Sequence, residues 1–276
     1  MTKVKKDEEK NFLDNYKIEN YDRPSVATDI AVFTMKDEDS YNYRQNNKSH
    51  LSILLIRRGE YPFLNKWALP GGFLRQKETL EECAYREIKE ETNIIPNSLM
   101  LVDTFSAIDR DPRGRIISNA YLSIVGDDLE KEKCGGDSVD VRWFEVSLEQ
   151  KEDNIYELKL TNEETLIKSS LKLENKKFNI SKFKIIDPGE LAFDHAQIIS
   201  TALMLLKNKA ENYDIIFDFL PEKFTLYELQ KVQEAILNIS LYVGNFRRKI
   251  SEYVTETDEY KSGAGHRPAK LFRRKC

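Results

Sequence analysis

The order of apolar and polar positions predicts a mixed α/β region in the first two thirds of the chain. Two β-rich runs, at 25–35 and 50–58, flank a polar insert at 38–49 and are expected to form paired strands. A helical pattern occupies 80–94. Further strand-like runs stand at 99–109, 116–125 and 139–146. Shorter β-leaning runs follow between 147 and 187, and we assign them to the edge of the same domain.

A turn signal marks the expected boundary between two domains. Asp187, Pro188 and Gly189 form this signal, and an apolar helical pattern at 191–210 begins directly after it. The pattern therefore predicts a polar N-terminal arm at 1–20, a first domain at 21–187 and a second domain at 188–276.

The second domain has the pattern of a helix-turn-helix followed by a hairpin. Thr225 and Glu228 form a capping box that opens one amphipathic helix, and a turn at 238–241 separates it from a second helix within 244–254. In that second helix Phe246 and Ile250 face inward. A Gly-rich turn then separates a β-leaning run from a basic strand, as in a wing.

Basic residues occur on both the second helix and the hairpin. A winged helix places its recognition helix in the major groove and its wing on phosphate or the minor groove, so both elements need positive charge. A helical dimerisation module with solvated charges is the alternative interpretation. The residues expected to contact double-stranded DNA are Asn245, Arg247, Arg248, Lys249, His266, Arg267, Lys270 and Arg273.

The helix predicted at 80–94 carries carboxylates beside its apolar stripe. Thr79 and Glu82 form its capping box, and Asn93 can end it in the left-handed conformation. At about 100° per residue, Glu87 and Glu91 project within the stripe and Glu90 lies at its margin. Arg86 precedes Glu90 by four residues and can hold its carboxylate.

An ordinary Glu-rich surface helix is the simpler interpretation, but the angular positions argue against it. Carboxylates clustered beside apolar surface repel one another and lose hydration, which costs several kcal/mol per ion unless cations neutralise them. Oxygen ligands at this density suit Mg²⁺ or Mn²⁺ next to a phosphate. The two glycines at 71–72, ahead of the helix, allow the backbone to approach such ions closely.

The segment 72–94 resembles the Nudix box, GX5EX7REUXEEXGU. It matches from Gly72 through Glu78 and the run at 86–91, and it departs only at Asn93, which replaces a glycine. The resemblance implies an α/β/α sandwich that binds a nucleoside diphosphate linked to another moiety and hydrolyses the pyrophosphate with Mg²⁺ or Mn²⁺. The metal ligands that it implies are Gly72, Glu78, Glu87, Glu90 and Glu91.

Three of these glutamates are the expected catalytic residues. Glu87, Glu90 and Glu91 would hold ions that neutralise the pyrophosphate and lower the pKa of a water. Either Glu87 or Glu91 could instead be the general base, and both roles stay open. Glu78 is expected to support the ions or the loop.

Most of the chain, roughly 21–274, is similar to the NrtR-type Nudix-related transcriptional regulators. The similarity rests on the segments 109–125, 191–199, 224–230, 245–250 and 263–273. It implies a homodimer whose Nudix domain senses ADP-ribose or a related metabolite and whose winged helices bind operators. Many relatives have lost the catalytic carboxylates, so hydrolysis is a specific expectation for this chain. The rival hypothesis is a metabolic Nudix hydrolase whose second domain serves dimerisation.

Three arginines at 110–115 are candidates to clamp the ligand's phosphates or ribose. They are Arg110, Arg113 and Arg115, and a solvated charged turn is the alternative. His195 lies beside an apolar helical pattern and is expected to be structural.

Composition adds limits on location and partners. The net charge is −4, yet the segment 244–276 carries nine Lys/Arg against four Asp/Glu, which favours nucleic-acid contact there. The three cysteines are far apart in the sequence, which argues against disulfides and a zinc site. With no apolar run near 18 residues and no apolar signal core, we expect a cytoplasmic protein without membrane contact.

Overall fold

A computed structural model describes residues 3–37, 49–96, 98–126, 135–136, 138–177, 180–262 and 268–275. The N-terminal arm contains a helix, α1 (Lys3–Asn15), followed by a 3-10 turn at Ile18–Asn20. No helix in these ranges is long and apolar enough to cross a membrane.

One mixed sheet forms the centre of the molecule. Its ten strands are β1 (Ser25–Asp37), β2 (Ser49–Arg58), β3 (Trp67–Ala68), β4 (Gly71–Phe73), β5 (Met100–Phe105), β6 (Ile116–Ile124), β7 (Ser138–Glu152), β8 (Ile155–Thr161), β9 (Leu166–Lys177) and β10 (Ile180–Asp187). The strand order is β10-β9-β8-β7-β2-β1-β6-β5, with β3 paired to β2 and β4 paired to β1. The runs between 147 and 187 therefore extend the same sheet.

Helices cover both faces of this sheet. Successive side chains of a strand point to opposite faces, and β1 is buried on both. Ile30 and Val32 pack with Ala84 and Ile88 of α2 (Leu80–Thr92). The alternate residues of β1, including Phe33, join a second core with α3 (His195–Glu211). This arrangement confirms the expected α/β/α sandwich.

The C-terminal part is a winged helix. Two helices, α4 (Leu226–Leu237) and α5 (Val243–Ile250), precede a hairpin of β11 (Val254–Lys261) and β12 (Ala269–Arg274). Helix α5 ends four residues earlier than the pattern extended it. At Val254 the chain instead pairs with Arg274 in the hairpin, so strand pairing outweighs continuation of the helix.

Helix α3 connects the sheet to the winged helix. Leu206 and Ala210 of α3 belong to one apolar cluster that also contains sheet residues and Leu229, Val232 and Ile236 of α4. The helix begins at His195, a few residues after the expected boundary near 188. That boundary stays a prediction.

Candidate functional site

Both ends of α2 have the local structure that its sequence predicts. The hydroxyl of Thr79 accepts a hydrogen bond from the backbone N–H of Glu82 at 3.2 Å, and the Glu82 carboxylate accepts from the backbone N–H of Thr79 at 2.7 Å. Asn93 ends the helix at φ 61°, in the left-handed region. The capping box and the Asn cap are confirmed, and they fix where the carboxylates project.

Arg86 holds three carboxylates of the site together. Its guanidinium donates two hydrogen bonds to Glu78, at 2.9 and 2.6 Å, and further bonds to Glu87 at 2.5 Å and Glu90 at 3.2 Å. The expected pairing with Glu90 is present, and the contacts with Glu78 and Glu87 are additional. The hydrogen bonds from Arg86 lower the pKa of Glu78 to about 2. One cation therefore offsets the repulsion among three acids.

The double glycine makes room for a carboxylate. A Cβ on Gly72 would lie 2.3 Å from a carboxylate oxygen of Glu87, so a side chain at this position would displace that group. Burial raises the pKa of Glu87, against the lowering effect of Arg86. Glu91 is buried, and its carboxylate accepts a hydrogen bond from the backbone N–H of Gly71 at 2.9 Å.

Apart from Glu78, which pairs with Arg86, these groups line one cleft of about 520 Å³. The residues of the cleft that matter here are Arg58, Gly72, Phe73, Arg86, Glu87, Glu90, Glu91 and Arg113. A smaller pocket adjoins it and shares Arg58, Gly72, Phe73 and Arg113. In the described part of the chain, no three His, Cys, Asp or Glu side chains converge closely enough to hold a metal ion. The cleft still presents carboxylate oxygens, which are the ligands that Mg²⁺ prefers.

Arg110 does not lie free in the pocket as a phosphate clamp would. Its side chain is 4% exposed, and it makes two hydrogen bonds to Asp194, at 2.8 and 2.7 Å, and one to Asp29 at 3.0 Å. Burial raises the pKa of Asp29, but the charges and hydrogen bonds of His195 and Arg110 outweigh it, so the pKa is lowered overall. The guanidinium is paired with two carboxylates at the wall of the smaller pocket, which Arg110 also lines. A structural ion pair is therefore present, and contact of Arg110 with a ligand stays a prediction.

The other two arginines of the turn differ from each other. Arg113 pairs with Asp111 at 2.8 Å, and its guanidinium lies over the rings of Phe73 and Phe193, 5.1 and 5.6 Å from their centroids. It faces the pocket. Arg115 donates hydrogen bonds to the carbonyl oxygens of Ser106 and Ala107, at the start of the same turn. Arg115 is not one of the residues that line the cleft.

His195 has the structural environment that was expected. The ring is buried, its Nδ1 accepts a hydrogen bond from the backbone N–H of Leu69 at 2.8 Å, and its Nε2 lies 3.3 Å from Asp29.

The winged helix presents a basic face on α5. Phe246 and Ile250 are buried, as predicted. The exposed residues of this helix include Asn245, Arg247, Arg248 and Lys249. In the hairpin, Lys270 pairs with Glu256 at 2.5 Å and Arg273 lies 3.5 Å from Glu222. His266 and Arg267 lie outside the described residues.

Sequence reasoning missed the aromatic part of the pocket. Phe193 lines it from the segment before α3, where the pattern indicated only the start of an apolar helix. Arg58, at the end of β2, lies with its guanidinium 5.0 Å from the Phe193 centroid. No local signal marks these residues, because the contact joins positions 135 residues apart.

Comparison with known proteins identifies two matching domain families. Residues 41–161 match the model of the NUDIX domain, and residues 216–274 match the NrtR DNA-binding winged helix domain. The ADPR responsive transcriptional repressor NtrR of Acinetobacter baylyi is 32% identical over 96% of this chain and 88% of its own length. The ADP-ribose pyrophosphatase of Methanocaldococcus jannaschii is 38% identical over 50% of this chain and 70% of its own.

A solved structure extends the similarity to the arrangement of the whole chain. The crystal structure of Shewanella oneidensis NrtR complexed with a 27mer DNA matches with a TM-score of 0.58 and 25% identity, over 91% of this chain and 93% of that one.

Proposed function

Because this chain belongs to the family of Nudix regulators with an NrtR winged helix domain, we propose that its cleft binds ADP-ribose or a related nucleoside diphosphate sugar. We propose further that the ligand controls binding of the winged helix to an operator, and that the cleft retains pyrophosphate hydrolysis. The chain is a transcriptional regulator of the Nudix superfamily, whose hydrolases generally use divalent metal ions.

The observation that carries this proposal is the presence of a carboxylate-lined cleft and an exposed basic helix in one chain. Glu87, Glu90 and Glu91 line a cleft large enough for a nucleotide sugar, since ligand pockets commonly measure 300–1,000 Å³. Arg247 and Arg248 stand exposed on α5. Among the relatives of this chain are an ADP-ribose pyrophosphatase and an ADPR responsive repressor.

The carboxylate oxygens of the cleft are of the kind that Mg²⁺ or Mn²⁺ binds. No three of these side chains converge among the described residues, so an ion would complete its shell with phosphate oxygens and water. The residues that would hold the ion are Glu87, Glu90 and Glu91, with the backbone of Gly72 and with Glu78 in support. A bound divalent cation supplies charge neutralisation to the pyrophosphate and acidifies a nearby water. A Cβ on Gly72 would displace Glu87, so the glycine allows this carboxylate to lie against the backbone of the turn.

The chain's own groups would then bind and orient the substrate. Arg113, over the rings of Phe73 and Phe193, is placed to contact the part of the ligand beyond the phosphates. A carboxylate, Glu87 or Glu91, would accept the proton of the attacking water as the P–O bond of the pyrophosphate breaks. Arg86 would hold the carboxylates of Glu87 and Glu90 in position through its hydrogen bonds.

On the DNA side, α5 would enter the major groove and the hairpin would contact the backbone. Asn245, Arg247, Arg248 and Lys249 are the proposed contacts of the helix. Lys270 and Arg273, with His266 and Arg267, are those of the hairpin. Two copies related by a two-fold axis would match the symmetric half-sites typical of such operators.

Selection from a random duplex pool tests the DNA role without knowledge of the operator. The full-length chain is expected to enrich one sequence family, and the Arg247→Ala/Arg248→Ala variant is expected to enrich none. A wild-type chain that enriches no sequence would contradict a regulatory role.

A metabolic hydrolase is the second candidate, and the 38% identity with an ADP-ribose pyrophosphatase favours it. In this alternative the C-terminal domain serves only dimerisation. Incubation with ADP-ribose and Mg²⁺ tests the site, with Glu90→Gln/Glu91→Gln protein as the control. AMP and ribose 5-phosphate from the wild-type chain alone would establish hydrolysis. Turnover without selective DNA binding would favour this candidate, whereas binding without products would make the cleft a sensor only.

A further inference from the structure

The segment just before α3 forms part of the wall of the ligand pocket. Phe193 and His195 line the smaller pocket, of about 50 Å³, which adjoins the carboxylate cleft and also contains Gly72 of the Nudix box. This segment lies between the two matched domains, which cover 41–161 and 216–274. The start of the connecting helix is therefore also part of the site.

Phe193 is the centre of a stack of rings and guanidinium groups. The guanidinium carbons of Arg58 and Arg113 lie 5.0 and 5.6 Å from its centroid, and the ring of Phe63 lies 4.7 Å away. Arg113 also lies over Phe73 on the other side of the pocket. Aromatic rings and guanidinium planes are the surfaces on which a nucleobase stacks.

Rigid contacts hold the backbone on both sides of Phe193. Asp194 makes two hydrogen bonds to the buried Arg110, and the backbone N–H of Ala192 donates to the carbonyl of Trp67 at 2.8 Å. Phe193 itself has φ 49°, in the left-handed region that a bulky side chain rarely adopts. Such a conformation persists only where the surroundings impose it.

The C-terminal end of α3 contacts the winged helix. The side-chain amide of Gln233, in α4, donates a buried hydrogen bond to the carbonyl of Ala210 at 2.8 Å. The ring of Tyr213, just past α3, packs 5.2 Å from that of Tyr253, next to the hairpin. A continuous packed path thus runs from the pocket, along 17 residues of helix, to the DNA-binding elements.

We propose that Phe193 contacts the base of a bound nucleoside diphosphate sugar and transmits occupancy of the pocket to the winged helix through α3. This inference rests on the proposed function and adds the residue that links its two sites. A base that stacks here must displace the guanidinium groups on Phe193, because the pocket beside them measures only about 50 Å³. Asp194 connects the two sites, because its carboxylate binds Arg110 in the Nudix domain and its carbonyl accepts hydrogen bonds from Gln197 and Ile198 in the first turn of α3. A shift at Phe193 that strains these bonds changes the position of that turn instead of being absorbed by a loose linker.

The test measures how much bound ADP-ribose changes the affinity for DNA, separately from the affinity for either ligand alone. For each variant, the affinity for a selected DNA duplex is determined without ligand and with ADP-ribose at saturation for that variant, in the full-length protein. Phe193→Leu keeps an apolar side chain and removes the ring. Phe12→Leu is the matched control, since Phe12 is exposed on α1 and lines neither the cleft nor the smaller pocket.

The ratio of the two DNA affinities is the coupling factor, which is typically 5-fold to 150-fold in allosteric proteins. We expect Phe193→Leu to reduce this ratio to below about 2-fold, with ligand-free DNA affinity within about 3-fold of wild type, while Phe12→Leu retains it. Retained coupling in Phe193→Leu would overturn this inference alone. A wild-type chain without coupling would overturn the proposed function as well.

Hydrogen exchange on the wild-type protein gives a second readout. ADP-ribose is expected to change the exchange of backbone amides at 192–199, at the start of α3. If ADP-ribose binds and protects the Nudix box but leaves these amides unchanged, the inference is wrong.

Discussion

At the scale of single residues, the contrast between Arg110 and Arg113 shows what burial does to a charge. The two lie three positions apart in one turn and look alike in the sequence. Arg110 is 4% exposed and shared between Asp29 and Asp194, whereas Arg113 is 43% exposed beside the pocket. Their pairing could not be predicted, because Arg110 and Asp194 are 84 positions apart.

Removing Arg110 should destabilise the fold strongly. Arg110→Ala leaves two buried carboxylates without their cation, which typically costs about 3–5 kcal/mol. Arg142→Ala is the matched control and should cost about 1 kcal/mol or less, because Arg142 and its partners Asp140 and Glu164 are all partly or fully exposed. Urea unfolding followed by circular dichroism measures both. Equal losses in the two variants would show that the buried network does not stabilise the fold.

At the scale of elements, the helices with capping boxes could be predicted from the sequence. Thr79 with Glu82, and Thr225 with Glu228, are local signals whose partners lie three residues away. The positions of the carboxylates on α2 could be predicted for the same reason, because helical geometry relates residues that are close in the sequence. By contrast, Phe193 and Arg58 come together only through the tertiary fold, so sequence patterns did not indicate the aromatic half of the pocket.

The cap of α4 offers a test of this local structure. Thr225→Ala removes the acceptor for the backbone N–H of Glu228 and should lower the free energy of unfolding by about 1 kcal/mol. Ser240→Ala, at an exposed position in the turn that follows, should change it by less than about 0.5 kcal/mol. Thermal unfolding of the two variants and of the wild type measures these changes. An unchanged midpoint for Thr225→Ala would contradict the capping role.

Helix α5 carries the prediction for DNA contact. Each phosphate contact that is lost lowers the slope of log affinity against log salt by about one unit. Arg247→Ala/Arg248→Ala should therefore weaken binding and reduce the slope by about two units. Lys231→Ala is the control, since Lys231 pairs with Glu234 on α4, away from α5. Anisotropy titrations over a range of salt concentrations measure the slopes, and equal slopes would exclude α5 as the contact.

At the scale of the whole molecule, the sequence indicated two domains, and the structure shows how they are joined. One apolar cluster extends from the sheet through α3 into α4 and α5. Periodicity predicted that the segment at 191–210 is a helix, but it could not reveal that this helix packs on both units. That shared packing gives a ligand in the Nudix cleft a physical route to the DNA-binding surface.

The most direct test of this account is the effect of ADP-ribose on DNA binding by the intact chain. Anisotropy of a labelled, selected duplex would be followed as ADP-ribose is added in the presence of EDTA, which prevents turnover. We expect the affinity for the duplex to fall by at least about 5-fold at saturating ligand. An affinity that stays the same while ADP-ribose is bound would contradict the coupling of the two sites.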